Sequence, residues 1–190
     1  MFTTRSFRNA LVASALCAGV ASAQSGLLSN TATVTINATK QASLTVTINS
    51  GATQTLASLA DNTVNSFASP VNVTTAWDIN PSAAAVVLVG YFSTPAQALA
   101  NGTDYITSSL VQARLGAAGG FSSFTGGVVN GGAATVGVAG GSLQLFSQPI
   151  NGANKTSSRT DDLHLQIDLT GQSVSAGTYA GTLNLRAITQ

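Results

Sequence analysis

The side chains with the greatest chemical reach in this chain fall within one short stretch, Asp161–Asp168. His164, the single histidine, follows Asp162 by two residues and precedes Asp168 by four. With serine abundant, these are the residue types of a Ser–His–Asp nucleophilic set. The spacing argues against it. Apolar Leu163, Leu165, Ile167 and Leu169 alternate with polar residues, the pattern of a strand with one buried face. His164 then points away from the leucines, onto the solvent face shared with Asp162, Gln166 and Asp168. No Gly-x-Ser-x-Gly elbow occurs to present a serine. A solvated histidine beside aspartate is the expected reading.

Other chemistries fail on similar grounds. Asp161, Asp162 and Asp168 have the oxygen chemistry for Ca²⁺, but the chain has no D-x-D-x-D-G loop and no glutamate for bidentate ligation. Paired-carboxylate glycoside chemistry would rest on aspartates alone, and no spacing selects a pair. Trp77, Tyr91 and Phe92 are the residue types of a sugar-stacking platform, although a lone Trp on a mid-chain strand is expected in the core. Four Asn-x-Ser/Thr sequons, at Asn37, Asn72, Asn101 and Asn154, matter only in a host that glycosylates them.

The inventory removes most of what is left. Of 190 residues only 7% are charged, and beyond residue 23 five cations (Lys40, Arg114, Lys155, Arg159, Arg186) stand against six aspartates, a formal charge of −1. The only cysteine is Cys17. Zinc sites need several Cys or His, thiol catalysis needs Cys, and nucleic-acid binding needs clustered Lys/Arg. No catalytic, cofactor or metal site is expected, and no nucleic-acid partner.

The N-terminus reads as a secretory signal. Arg5 and Arg8 form a positive n-region, Ala10–Val20 is a short apolar stretch, and Ala21-Ser22-Ala23 offers a small-x-small cleavage site before Gln24. The stretch is short of the roughly 20 apolar residues of a membrane anchor. Leu16 is too bulky for lipoprotein processing before Cys17. No later run approaches membrane length, so no transmembrane segment is expected in the processed chain. The expected organisation is a signal over 1–23 and one domain over 24–190, exported by the Sec route to the periplasm, cell surface or medium. Without cysteine, that domain must hold together by its core.

The elements that would position any site are strands. Apolar residues alternate with hydroxyl residues at Ala32, Val34 and Ile36, and again at Leu44, Val46 and Ile48. Tyr179, Leu183, Leu185 and Ala187 repeat the pattern. Val71–Ile79, with Val73 and Trp77, reads as another strand. Ala83–Phe92 is a nearly continuous apolar run between Pro81 and Pro95, as for a strand covered on both faces. Asp78–Ser82 carries turn chemistry. Leu143, Leu145 and Phe146 suggest a strand that alternates less cleanly. Thr94–Asn101 is the single helical candidate, with Thr94 as cap, Pro95 at the first position and Asn101-Gly102 as the stop. The sum is all-β: a single antiparallel β-sandwich of immunoglobulin-like kind, with a barrel as the alternative.

Two features interrupt this regularity. From Gly116 to Gly141, ten of 26 residues are glycine. The expected form is a pair of loose edge strands pinned by Phe121, Phe124, Val128, Val129, Val136 and Val138, the alternative a flexible insertion presenting a binding surface. Thr33-Val-Thr-Ile-Asn37 recurs as Thr45-Val-Thr-Ile-Asn49, and the two runs have the spacing to pair as a hairpin around Ala38–Ala42.

The C-terminal stretch Gly177-Thr-Tyr-Ala-Gly-Thr-Leu-Asn-Leu-Arg-Ala-Ile-Thr-Gln190 begins with a glycine fourteenth from the end and alternates apolar residues at odd positions. It resembles the closing strand of chaperone–usher pilus subunits and of spore coat protein U-like proteins, and Ser29–Asn49 resembles the opening of such exported domains. The usual penultimate Tyr is Thr189 here, and the disulfide common in both groups is absent. The resemblance implies strand exchange, with Ala32, Val34 and Ile36 inserting into a neighbouring subunit's incomplete sandwich, and Gly177, Tyr179, Leu183 and Leu185 of the closing strand as the other exchange residues. The expected function is a structural or surface-assembly protein, pilin-like, coat or matrix, whose partners are other protein subunits, copies of itself included. The alternative is a secreted module binding a carbohydrate or surface glycan. An enzyme is not expected.

Overall fold

The computed structural model describes residues 28–80 and 82–190. The expected signal peptide over residues 1–23, with Ala23 and Gln24 at its cleavage point, lies outside them. The chain divides into Met1–Thr39 and Lys40–Gln190.

Within Met1–Thr39, the described residues 28–39 hold no strand, and every one is exposed. Leu28, Val34 and Ile36 show 95%, 84% and 87% of their surface. The alternation at 31–37 therefore does not form a strand here, whereas the like-patterned 45–49 lies within β1 (Ser43–Ser50). A period of two states what a segment is able to pair with, and the partner strand is a separate requirement.

Lys40–Gln190 is mostly strand, and every pairing is antiparallel. The larger sheet runs in the order β1 (Ser43–Ser50), β3 (Val71–Asp78), β12 (Thr156–Asp168), β7 (Val111–Leu115), β8 (Ser122–Ser123), with β2 (Val64–Ser66) beside the C-terminal end of β12. The smaller sheet places β4 (Ala85–Tyr91) between β11 (Ser142–Pro149) and β13 (Asn184–Thr189). Two hairpins, β5 (Leu99–Asn101) with β6 (Asp104–Ile106) and β9 (Val129–Gly131) with β10 (Ala134–Val136), complete the set.

The burial follows the sequence pattern. Val71, Val73, Thr75 and Trp77 are buried and alternate along β3, as Leu163, Leu165 and Ile167 do along β12. They meet Val86 and Leu88 of β4 and Phe146 of β11 in one core, so the two sheets face each other in a sandwich-like arrangement. Residues Ala85–Gly90 are all buried because β4 is covered twice. Val87 and Val89 point to the other side, where Ile188 of β13 and Val136 of β10 cover them. In β11 the alternation breaks for a structural reason. The register against β4 shifts between Gln144 and Phe146, a bulge that turns the neighbours Leu145 and Phe146 both toward the core.

The expected helix over 94–101 shrinks to one 3₁₀ turn, Pro95–Gln97, with no side-chain bond from Thr94 at its cap. Asn101-Gly102 does not stop a helix. It enters the two-residue loop of the β5–β6 hairpin, where Asn101 pairs with Asp104 and Gly102 takes a φ of +61°. Ile106, fully buried, and partly buried Leu99 direct this hairpin onto the main core.

The glycine-rich region holds β8 and the β9–β10 hairpin. Phe124 and Val136 are buried, Phe121, Val129 and Val138 partly so, and Val128 is 47% exposed.

Candidate functional site

The serine–histidine–aspartate constellation is not assembled. Asp162 accepts a hydrogen bond from Asn72 Nδ2 at 2.6 Å. Asp168 accepts from Gln112 Nε2 at 3.3 Å and from the Thr170 backbone N–H at 3.0 Å. Both carboxylates are thus engaged by groups other than His164, which lies opposite Arg114 in the β12–β7 register. Asp161 sits one residue out of phase, on the core-facing side of β12, and is bound bidentately by Arg159 at 2.6 and 2.8 Å. The Arg159 guanidinium also stacks 4.5 Å from the centre of the Phe146 ring. Among the described residues no three His, Cys or Asp side chains come together to hold a metal ion.

The aromatic platform is not presented either. Trp77 is 4% exposed, and its indole N–H donates to the Asn154 carbonyl at 2.8 Å. Phe92 is 4% exposed, and its ring lies edge-on to Phe124. Only Tyr91 of the three is partly exposed.

Hydrogen bonds from the Thr170 side chain and backbone, joined by Gln112, hold the Asp168 carboxyl below its ordinary value of 3.8. The linkage has a definite sign. A carboxylate whose folded value is depressed stabilises the fold fully above its unfolded value, and that stability is lost as the pH falls through the folded value. Asp168→Asn should therefore lower stability at neutral pH and approach the parent protein at pH below the folded value, which flattens the acid limb of the stability curve. Urea midpoints across about pH 5 to pH 2 check this, and parallel curves for the two proteins would refute it.

Among the described residues an extended apolar opening lies at the side where the first and last strands run. β1 is the edge of the larger sheet, β13 the edge of the smaller, and they approach each other. A cleft of about 240 Å³ opens between Ile48 and Gln54 on one bank and Gly181, Leu183 and Leu185 on the other, with Leu163 and Ile167 on its floor. A neighbouring space of about 570 Å³ continues past Leu56 and Leu59 toward Gly177 and Tyr179, sharing Gln54, Phe67 and Gly181 with the first. Lining residues in both are uncharged.

Burial is lower on this side than at the centre of the sheets. Core-facing Val73, Leu88 and Leu163 on the central strands are 1%, 1% and 0% exposed. On the edge strands, by contrast, Leu44, Val46, Leu183, Leu185 and Ala187 face the same core but remain only half-buried, and Ile48 is 45% exposed. Among the described residues no further strand lies on this row of apolar side chains.

The backbone at β13 agrees. The Gln190 N–H donates to the Ala85 carbonyl at 2.9 Å, so even-numbered residues turn their N–H and C=O groups toward β4. Alternate residues point these groups to opposite edges. Those of Leu185, Ala187 and Thr189 therefore face the outer edge. Further back, Ala180 and Ala100 exchange both backbone bonds, at 2.8 and 3.0 Å, which fixes the approach to β13 against the β5–β6 hairpin.

Tyr179, Leu183 and Leu185 thus lie on one bank of the opening, with Gly177 at its far end, while Ala32, Val34 and Ile36 belong to the exposed segment 28–39. The opening itself is not written in any motif. It arises where the two ends of the domain meet, and the residues of positions 51–59 that bank it carry no alternation. Comparison of the chain with family models, with curated proteins and with solved structures gives no match in any of the three.

Proposed function

We propose that this protein is an exported structural or surface-assembly component of immunoglobulin-like fold, joining other subunits, copies of itself included, by strand pairing. The observation that carries the reading is the pairing of one chain's surplus with its deficit. The domain has an apolar opening beside its edge strands β1 and β13, and the same chain carries a strand-patterned segment, residues 28–39, whose side chains are exposed.

The two match in chemistry and in length. Residues 28–39 carry no charge, and neither do the banks of the opening. From Tyr179 to Ala187 the accepting edge is nine residues, roughly 30 Å when extended. The twelve residues Leu28–Thr39 span it. Burying Val34 and Ile36 contributes about 1.5–3 kcal/mol each, and added-strand backbone bonds supply further affinity. This is the mode of assembly implied by the likeness to pilus subunits and coat protein U-like domains, with Ala32, Val34 and Ile36 as the inserting residues.

The test is the oligomeric state of residues 24–190 by size exclusion with light scattering, beside a protein that begins at Ala38. Concentration-dependent polymers of the first, and a monomeric or misfolded second, are expected. Two stable monomers would overturn the reading, as would a monomer in which the amides of residues 28–39 resist hydrogen exchange, since the segment would then fill its own domain.

A further inference from the structure

The β9–β10 hairpin sits at one end of the accepting edge. Gly131, the last residue of β9, lies so close to β13 that a Cβ at this position would collide with the Thr189 carbonyl and the Ile188 side chain. That carbonyl belongs to the outward-facing set of β13 and points to the edge where a strand would add. Gln190 fastens the same contact from the other side, its Nε2 donating to the Asn130 carbonyl at 3.1 Å. Beneath, Val136 and Val129 of the hairpin pack with Val87, Val89 and Ile188. The hairpin is thus anchored by apolar contacts and lies over the end of β13, while Leu185 and Ala187 of the same strand are partly buried against the core.

Resting on the strand-addition reading above, we propose that the hairpin is a register stop. A segment 28–39 from a second copy pairs with Leu185 and Ala187 and halts before Thr189, because Gly131 occupies the next position along the edge. An added strand on a uniform edge has no such limit, and slippage by two residues keeps the same side chains facing inward. With the stop in place, the inserted residues have one end point, and every junction between copies is alike. The glycine-rich region then has a positional role, and Gly131 is glycine because any side chain would lift the hairpin from the edge.

Disulfide scanning in the full-length exported protein tests this. Single cysteines at 32, 34 or 36 are combined with single cysteines at 185, 187 or 189, and inter-copy cross-links are read by mass. Cross-links to 185 and 187, and none to 189, are expected. Gln190→Ala, a mild change, and Gly131→Val, a severe one, should each bring cross-links to 189. Cross-links to 189 in the parent, or an unaltered pattern in both variants, would overturn the stop and leave assembly by strand addition standing. No inter-copy cross-link at any of the three positions would bring down the assembly reading, and the stop with it.

Discussion

Phe124→Ala should cost the domain about 3–5 kcal/mol, the usual range for removing a buried aromatic ring. Phe124 is 0% exposed, and its centroid lies 5.2 Å from that of Phe92 at 79°, an edge-to-face pair. The ring is also fitted to glycine. A Cβ at Gly90, in the all-buried β4, would stand 2.9 Å from Phe124 Cε1, so the close approach exists because position 90 has no side chain. Rigid strand backbone on that side leaves little freedom to collapse into the void, which places the cost toward the upper end. Total stabilities of domains are roughly 5–15 kcal/mol, so the loss would be a large share. The urea midpoint should fall with an unchanged slope. A loss below about 1 kcal/mol would show that the glycine-rich region is not held by this ring.

The second large effect is on assembly and should leave the fold alone. Val34→Asp places a carboxylate at a position 84% exposed in the single chain, so the melting temperature of the domain should not change. In an apolar cleft lined by Leu183, Leu185 and Ile48, the same carboxylate has no cation to meet. Burying an unpaired charge costs several kcal/mol, and each 1.4 kcal/mol is a factor of ten, so association should weaken by at least about a hundredfold. Val34→Thr, nearly the same size with one hydroxyl, should fall between. Sedimentation velocity over a concentration series reads both. Equal association of all three proteins would remove Val34 from the contact.

Much of the all-β fold was legible because periodicity reports burial directly. Val71–Asp78, Leu163–Leu169 and the unbroken run through Ala85–Tyr91 each declare how many faces are covered, and the sheets oblige. What could not be read is instructive in physical terms. The first half of β12, Thr156–Asp162, holds no apolar residue, yet it pairs along β3 through polar partners such as Thr74–Thr160 at 2.7 Å and Thr156–Asp78 at 2.8 Å. Alternation is silent where hydroxyls bond across strands. Asn101-Gly102 supports either a helix stop or a hairpin, and the burial of Ile106, a tertiary fact, decides between them. Residues 31–37 share their pattern with β1, and only the supply of a neighbouring strand distinguishes them. For the candidate site the residues on one bank, Leu183 and Leu185, were visible in the alternation. The opening between them and β1 was not, since it depends on two edges that are remote in sequence coming together.

That the last six-residue strand, Asn184–Thr189, lies against Val86–Tyr91 fixes when the molecule is able to finish folding. Among the described residues no earlier strand takes the place of β13 beside β4, and Ile188 is part of the cover over Val87 and Val89. The smaller sheet stays two strands wide until Asn184–Thr189 has been made. Loop closure over such distances is the slow step of β-sandwich folding, on a scale of milliseconds to seconds. Deletion of residues 187–189 would thus be more damaging than loss of as many residues from positions 28–39, for it would uncover Val87 and Val89.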